Sequence, residues 1–371
     1  MSDTTAIPEP DAIEGAPHPR QTAKLFAQEK AERVLLEALA QGRLDHGWMI
    51  TGPRGVGKAT LAWRVTRFLL QHGAAPTPVP PDSFDTDPQT LLNHRIGALS
   101  EPRLFLCRRP WDSRTERLKT AITVDEVRSL KGFFGLRATD DGHRVVIVDC
   151  ADEMNPSAAN ALLKVLEEPP AGVTLFLISH RPMRLLPTIR SRCREVKCAP
   201  LDGVAIARAL NAAGFDAGEN AAALAELANG SAGEAIRLLS GDGCGVYASI
   251  SRIAARAPGM DRASLISLAD SCAGKAGQAR YDLVLRLIDL LLHRLARAGI
   301  RGAPQTEAAP GEAEMLGRLS PDAGAARGWA ECAQTLGARS AHARAVNLDP
   351  ASVILDMMLR IDQTARSIRA A

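Results

Sequence analysis

At 371 residues the chain is too long for one ordinary core and suits two or three domains. Its 46% hydrophobic and 23% charged residues are those of a soluble globular protein, and its few aromatics and many alanines favour helices, above all in the second half. A net charge of +3 is too small to indicate a nucleic-acid partner by itself.

Residues 1–18 show no hydrophobic period and are expected to be a disordered tail, polar and proline-bearing rather than a signal peptide. A helix pattern runs from Ala27 to Leu39, with Val34, Leu35, Ala38 and Leu39 on one face. "GWMIT" (47–51) reads as a buried strand entering a glycine loop, and "KATLAWRVTRFLL" as the apolar helix that follows. A proline-rich connector spans 72–89; a strand candidate, "RLFLC" (103–107), then leads to a basic loop with Arg108, Arg109, Arg114, Arg117 and Lys119. "TVDEVRSLKGFFGL" opens with Thr123 and Glu126 at capping-box spacing. "HRVVIVDC" (143–150) is a β-branched run ending in an acid, and "NPSAANALLKVLEEP" starts a helix with Asn155 as cap and Pro156 at its first position. "VTLFLIS" (173–179), a helix over "RPMRLLPTIRSRC" and "REVKC" (194–198) close the series. Continuous apolar strands alternating with helices predict an α/β domain, a parallel sheet covered on both faces, over 19–199. Short glycine-linked helices predict a small helical lid over 200–241. Longer helices follow over 242–371, among them "YDLVLRLIDLLLHRLARAG" with Leu283, Leu287, Leu291 and Leu295 on one wide apolar face.

Seven scattered cysteines (107, 150, 193, 198, 244, 272, 332), none in a C-x-x-C pair, exclude a disulfide framework and a four-cysteine zinc site. With no apolar run of membrane-spanning length, a cytoplasmic protein is expected.

The stretch "GPRGVGKAT" fits the phosphate-loop pattern G-x-x-x-x-G-K-[ST] at Gly52, Gly57 and Lys58, in the strand–loop–helix setting that such a loop requires. Backbone amides and the helix N-terminus would cradle phosphate, and Lys58 would neutralise its charge. At the hydroxyl position stands Ala59; Thr60 is one residue on, about 100° around the helix. Asp149 ends its apolar strand where an acid would reach magnesium. The next residue is Cys150, a thiol at neutral pH and a poor stand-in for the carboxylate that polarises water. Asp152 and Glu153 read as the solvated start of a helix. With two hydrolytic parts missing together, no ATP hydrolysis by this chain is expected.

"HGWMITGPRGVGKATLA", "VVIVDCADEMNPSAANALLKVLEEPP", "LLPTIRSRC" and "GSAGEAIRLL", in this order, resemble the clamp-loader subunits of bacterial DNA polymerase III, most nearly the delta prime type, within the AAA+ superfamily. The resemblance is strong over about 20–240 and weaker to the C-terminus. It implies that residues 242–371 form a helical collar for oligomerisation. It also implies that Arg192, in "SRC", is an arginine finger pointing across a subunit boundary at the γ-phosphate on a neighbour. A planar guanidinium suits charge spread over phosphoryl oxygens; from the residues alone, an arginine capping its own helix is the plainer reading. Cys193 would then be a packing residue and Ser191 a local cap. The nucleotide-sensing arginine of the family's motor-type members falls at Gly233 here, and the region of their zinc module holds only Cys107, so no zinc is expected. The implied function is a non-hydrolysing subunit that needs no cofactor of its own. It would complete the ATP/Mg site of a gamma/tau motor subunit and act beside the delta subunit, the sliding clamp and primed DNA. Two rivals stand beside it: an autonomous ATPase with Thr60 and Asp152 as substitutes, and a DNA-binding module resting on the arginines of 108–119.

Overall fold

Strands that are apolar at every position need cover on both faces, and the first half of the chain is built to supply it. The computed structural model describes residues 8–13, 15–75, 81–135, 142–274 and 277–370. Residues 1–7 and 14 of the expected tail, 76–80 of the proline connector and Leu136 lie outside that set. The chain divides into two compact units, 1–215 with 230–234, and 216–229 with 235–371.

In the first unit α1 (Glu29–Ala40) leads to β1 (Gly47–Thr51) and α2 (Lys58–His72). Then come α3 (Leu91–Gly97), β2 (Leu104–Cys107), a hairpin of β3 (Trp111–Asp112) and β4 (Arg117–Leu118), and α4 (Val124–Gly135). The unit goes on through β5 (Arg144–Asp149), α5 (Pro156–Glu167), β6 (Val173–Ser179), α6 (Pro187–Arg190), β7 (Arg194–Lys197) and α7 (Gly203–Ala212). Five strands form one parallel sheet in the order β2-β5-β6-β1-β7. The central β1 and β6 are buried along their whole length, which is why their sequences do not alternate. Met49, Val146, Val148, Leu175 and Leu177 share one core with α4 and α5, through Val127, Leu130, Leu162 and Leu166. The expected caps form: Asn155 Oδ1 accepts from Ala158 N at 2.8 Å, and Glu126 Oε2 accepts from Thr123 N at 2.8 Å.

The continuous helix expected over "RPMRLLPTIRSRC" is instead a 3-10 turn at Pro182–Arg184 followed by the four-residue α6. Pro187 holds Leu186 extended (ψ 137°), so the helix restarts there.

The remaining helices are α8 (Ala221–Ala228), α9 (Ala232–Ser240), α10 (Gly243–Ala254), α11 (Arg262–Asp270), α12 (Gln278–Arg301), α13 (Glu312–Leu319), α14 (Ala323–Ala345) and α15 (Pro350–Ala370). Leu283, Leu287, Leu291 and Leu295 of α12 are all buried inside the second unit, where α12 packs on α10, α13, α14 and α15. The apolar stripe is therefore used by this chain's own core, and it is no argument for a partner. Ile266, Ile300, Val346, Leu348 and Leu359 are the larger apolar side chains described in α11–α15 and their links that stay exposed.

A buried ion pair ties four helices of this unit. Glu312 is 0% exposed, and Arg294 grips it through Nε and Nη2 at 2.7 and 3.0 Å. Tyr247 Oη and Ala308 N also donate to Glu312, while Arg294 Nη1 reaches Glu226 at 3.1 Å. Arg294→Met should lower the unfolding free energy by about 3–5 kcal/mol, because it leaves a buried carboxylate without its cation. Adding Glu312→Leu should recover most of that loss. Urea unfolding of the two variants checks both expectations.

Candidate functional site

The glycine loop follows β1 at the carboxyl edge of the sheet. Gly57 has φ +102°, and a Cβ there would lie 2.9 Å from Leu25, so conformation and space both require glycine. Gln28 pins the loop from behind: its Nε2 donates to Val56 O at 3.1 Å and Ala199 O at 2.7 Å. The amides of Gly55 through Thr60 donate to no acceptor among the described residues, which leaves them open to an anion. Lys58, however, is only 6% exposed and turns back on the loop, donating to Gly52 O at 2.9 Å and Pro53 O at 2.6 Å. Burial lowers its pKa by more than the neighbouring Cys150, Cys198 and acidic groups restore.

Across the sheet edge Asp149 is buried, its Oδ1 accepting from Cys150 N at 3.0 Å and its Oδ2 without a donor. Burial, and after it the carboxylate of Asp11 within hydrogen-bonding reach, raise its pKa to about 7. Burial and Asp149 push the Cys150 thiol up as well, so this position offers a neutral thiol. Asp152, expected to be solvated, is not. Its side chain is 1% exposed, accepts from His180 N at 3.2 Å and pairs with His180 Nε2 at 3.3 Å, because residues 151–153 fold back as a 3-10 turn. Glu153 pairs with Arg109 at 2.6 Å. Thr60 stays one position past Ala59 on a regular α2, so the helix is not distorted to bring its hydroxyl round.

Residues 8–13 and 15–18 correct the expectation of a loose tail. Buried His18 meets Glu9 at 2.8 Å and Asp11 at 3.0 Å; Arg108 meets the same two carboxylates at 2.8 and 3.1 Å. Arg20 pairs with Glu9 and donates from Nε to Gly97 O at 3.0 Å. Burial opposes ionisation of Glu9, but Arg20, Arg108 and His18 outweigh it and hold the carboxyl at about 2. The ligand atoms of Glu9, Asp11 and His18 lie within 4.8 Å of one another, yet guanidinium groups already occupy the carboxylates, so a metal ion would have to displace them. Of the basic loop, Arg108 and Arg109 are thus committed to internal partners, whereas Arg114, Arg117 and Lys119 are exposed on the hairpin. Sequence reasoning missed Glu9, Asp11, His18, Arg20, Gln28 and His180; no periodicity marks them.

Arg192 lies on the other edge of the sheet. It precedes β7, and Gly47, the first residue of β1, packs against its carbonyl. Its Nη1 donates to Thr188 O at 3.0 Å and its Nη2 pairs with Glu167 at 2.8 Å, with the two side chains 36% and 48% exposed. In this chain the guanidinium thus caps its own short helix and leans on α5. Cys193 is buried in the core, as expected, and Ser191 Oγ donates to Thr188 O at 3.1 Å.

Residues 27–202 match the family model described as DNA polymerase III, delta subunit. The chain is 39% identical over 172 residues to DNA polymerase III subunit delta' of Pseudomonas aeruginosa, covering 44% of this chain and 48% of that protein. It is 32% identical over 166 residues to the Escherichia coli subunit delta', covering 45% and 46%. Over residues 27–202, most of its α/β half, the chain is thus similar to the delta' subunits of DNA polymerase III. It spans about half the length of the curated delta' relatives it matches. Subunit gamma/tau of Mycobacterium tuberculosis is 30% identical over 174 residues, 47% of this chain and 28% of that one. Among solved structures, a gamma subunit-related protein of Thermotoga maritima aligns with 89% of this chain and 99% of its own at 17% identity and a TM-score of 0.34.

In this delta' relative, Gly233 stands where an arginine was expected of motor-type members, and the packing accounts for it. Gly233 N donates to Gly55 O at 3.1 Å, and a Cβ at Gly233 would lie 3.1 Å from both Gly55 Cα and Ile13 Cδ1. A longer side chain has no room unless the loop or the N-terminal segment moves.

The folded unit holds the proton of Asp149 more tightly than an unfolded chain does, so this group's contribution to stability falls as pH rises from about 4 to about 7. The facing groups are Asp11 from the N-terminal segment, Lys58 from α2 and the adjoining Cys150. Asp149→Asn should melt near wild type at pH 4, then increasingly above it up to pH 7, by on the order of a few degrees, with a constant gap beyond. Melting curves across that range check the profile.

Proposed function

We propose that this chain is a non-hydrolysing clamp-loader subunit of DNA polymerase III, supplying Arg192 in trans to the ATP/Mg site of a gamma/tau motor subunit. One observation carries the reading: loop and arginine lie on opposite edges of one parallel sheet. β1 starts beside Arg192 and ends at the loop, and its five residues at ~3.3 Å each set the two edges roughly 15 Å apart. Arg192 does not serve its own loop, so a γ-phosphate that it meets belongs to another chain. The exposed Arg192–Glu167 pair is a weak hold, about 0–1 kcal/mol, and exchange for a phosphate is favourable.

The chain's own loop keeps open amides but has Ala59, the thiol of Cys150 and a lysine folded on its own carbonyls. That combination supports a structural part over an autonomous ATPase. Pairing of Arg108 and Arg109 inside the chain leaves the DNA-binding rival Arg114, Arg117 and Lys119 alone of the five basic groups. The subunit would work with the delta subunit to place the sliding clamp on primed DNA, the α/β domain and lid (200–241) facing the motor and 242–371 serving as the collar.

The test is a reconstituted clamp loader carrying one variant at a time, assayed for clamp loading and DNA-stimulated ATP hydrolysis. Arg192→Ala should stay folded and incorporated, since it removes a half-exposed charge. The site facing it should slow by roughly 10³-fold or more, as isolated fingers do. Arg192→Lys should rescue poorly, because an ammonium lacks the planar fork. Lys58→Ala should cost far less; a crippling Lys58→Ala beside a silent Arg192→Ala would reverse the roles.

A further inference from the structure

The strap of residues 18–28 and the segment before it run over the glycine loop in an order that the sequence does not suggest. Leu25 packs on Gly57, and Gln28 holds Val56. Arg64 and Arg67 of α2 fix the strap from below, Arg67 donating to Arg20 O and Thr22 O at 2.8 Å each. Further toward the N-terminus, Ile13 packs on Gly233, which itself touches Gly55, and Asp11 stands beside Asp149. The two sides of the site that a nucleoside triphosphate would bridge, the loop and the strand-end acid, are thus each met by this one segment. It is tied down by partly buried ion pairs from Glu9 and Asp11 to His18, Arg20 and Arg108.

We propose that residues 8–13 and 15–18 are a built-in plug of this subunit's own phosphate loop, excluding nucleoside triphosphate by packing Ile13 on Gly233 beside the loop and setting the Asp11 carboxylate against Asp149. Two features fit this role. The carboxylate of Asp11 beside Asp149 repels an anion, and the loop's unpaired amides need such exclusion if the subunit is to stay nucleotide-free. The inference deepens the reading of a non-hydrolysing subunit and rests on it only in taking the loop to be out of use. While the plug is closed, the apparent affinity for ATP falls in proportion to the fraction of molecules that are open.

The test is titration of N-methylanthraniloyl-ATP with magnesium into three full-fold proteins: wild type, a chain beginning at residue 17, and the full chain with Glu9→Ala and Asp11→Ala together. The double variant unties the segment without shortening it and serves if the shortened chain melts early. Either altered protein should bind at least about tenfold more tightly than wild type, the gain should vanish with Lys58→Ala, and no hydrolysis should follow. Hydrogen exchange of residues 53–60 should be slowest in wild type. Affinity equal in all three, tight or weak, or a gain indifferent to Lys58→Ala, overturns the plug. Neither result touches the Arg192 experiment, whose readout is a neighbour's turnover, so the two claims fail separately.

Discussion

All strands of a parallel sheet end on one edge and begin on the other, and the chemistry of this chain is divided by that rule. The loop after β1, Asp149 at the end of β5 and His180 after β6 gather on the carboxyl edge because their strands are in register. Arg192 comes before β7 and is held on the amino edge by the pairing of Trp48 with Arg194. No side-chain rotation brings a residue across the length of a strand. A site that uses both edges would need two chains, which is the arrangement proposed for Arg192.

On the carboxyl edge, each departure from a working ATP site is embedded in packing. The thiol of Cys150 is kept neutral by the same burial that raises the pKa of Asp149, and Asp152 is spent on His180. Restoring a hydroxyl at Ala59 would leave all of these in place. The loop itself is clamped from three sides, by Gln28, by Leu25 and by the close approach of Gly233. A loop so fixed acts as a rigid turn that sets α2 against β5 and β6, whatever its ancestry in nucleotide binding.

Legibility in the sequence followed the range of the forces involved. β1, β5 and β6 were readable because burial on both faces leaves a local mark, a run with no polar position. α5 was readable because its cap and its proline are adjacent to it. The break at Pro187 was underweighted: apolar residues on either side hid a local backbone rule. The stripe on α12 could be seen but not assigned, since leucines facing α14 and leucines facing another subunit have the same period. Residues 8–13 and 15–18 were misjudged as loose tail. Their order comes from pairs such as Glu9–Arg108, about a hundred residues apart, and charge pairing at that separation leaves no periodic trace. Arg192 was singled out through family resemblance; its residues alone favoured a helix cap, and in this chain it does cap α6.

The central claim is that this chain lends catalytic charge to a neighbour and performs no hydrolysis of its own. Single-turnover ATP hydrolysis, measured on the purified chain and then on its mixture with a gamma/tau motor subunit, addresses it directly. The account predicts no turnover by the chain alone and a faster motor when it is added, the increase being lost with Arg192→Ala. Turnover by the chain alone that Lys58→Ala abolishes would contradict it, and would make "GPRGVGKAT" a working site.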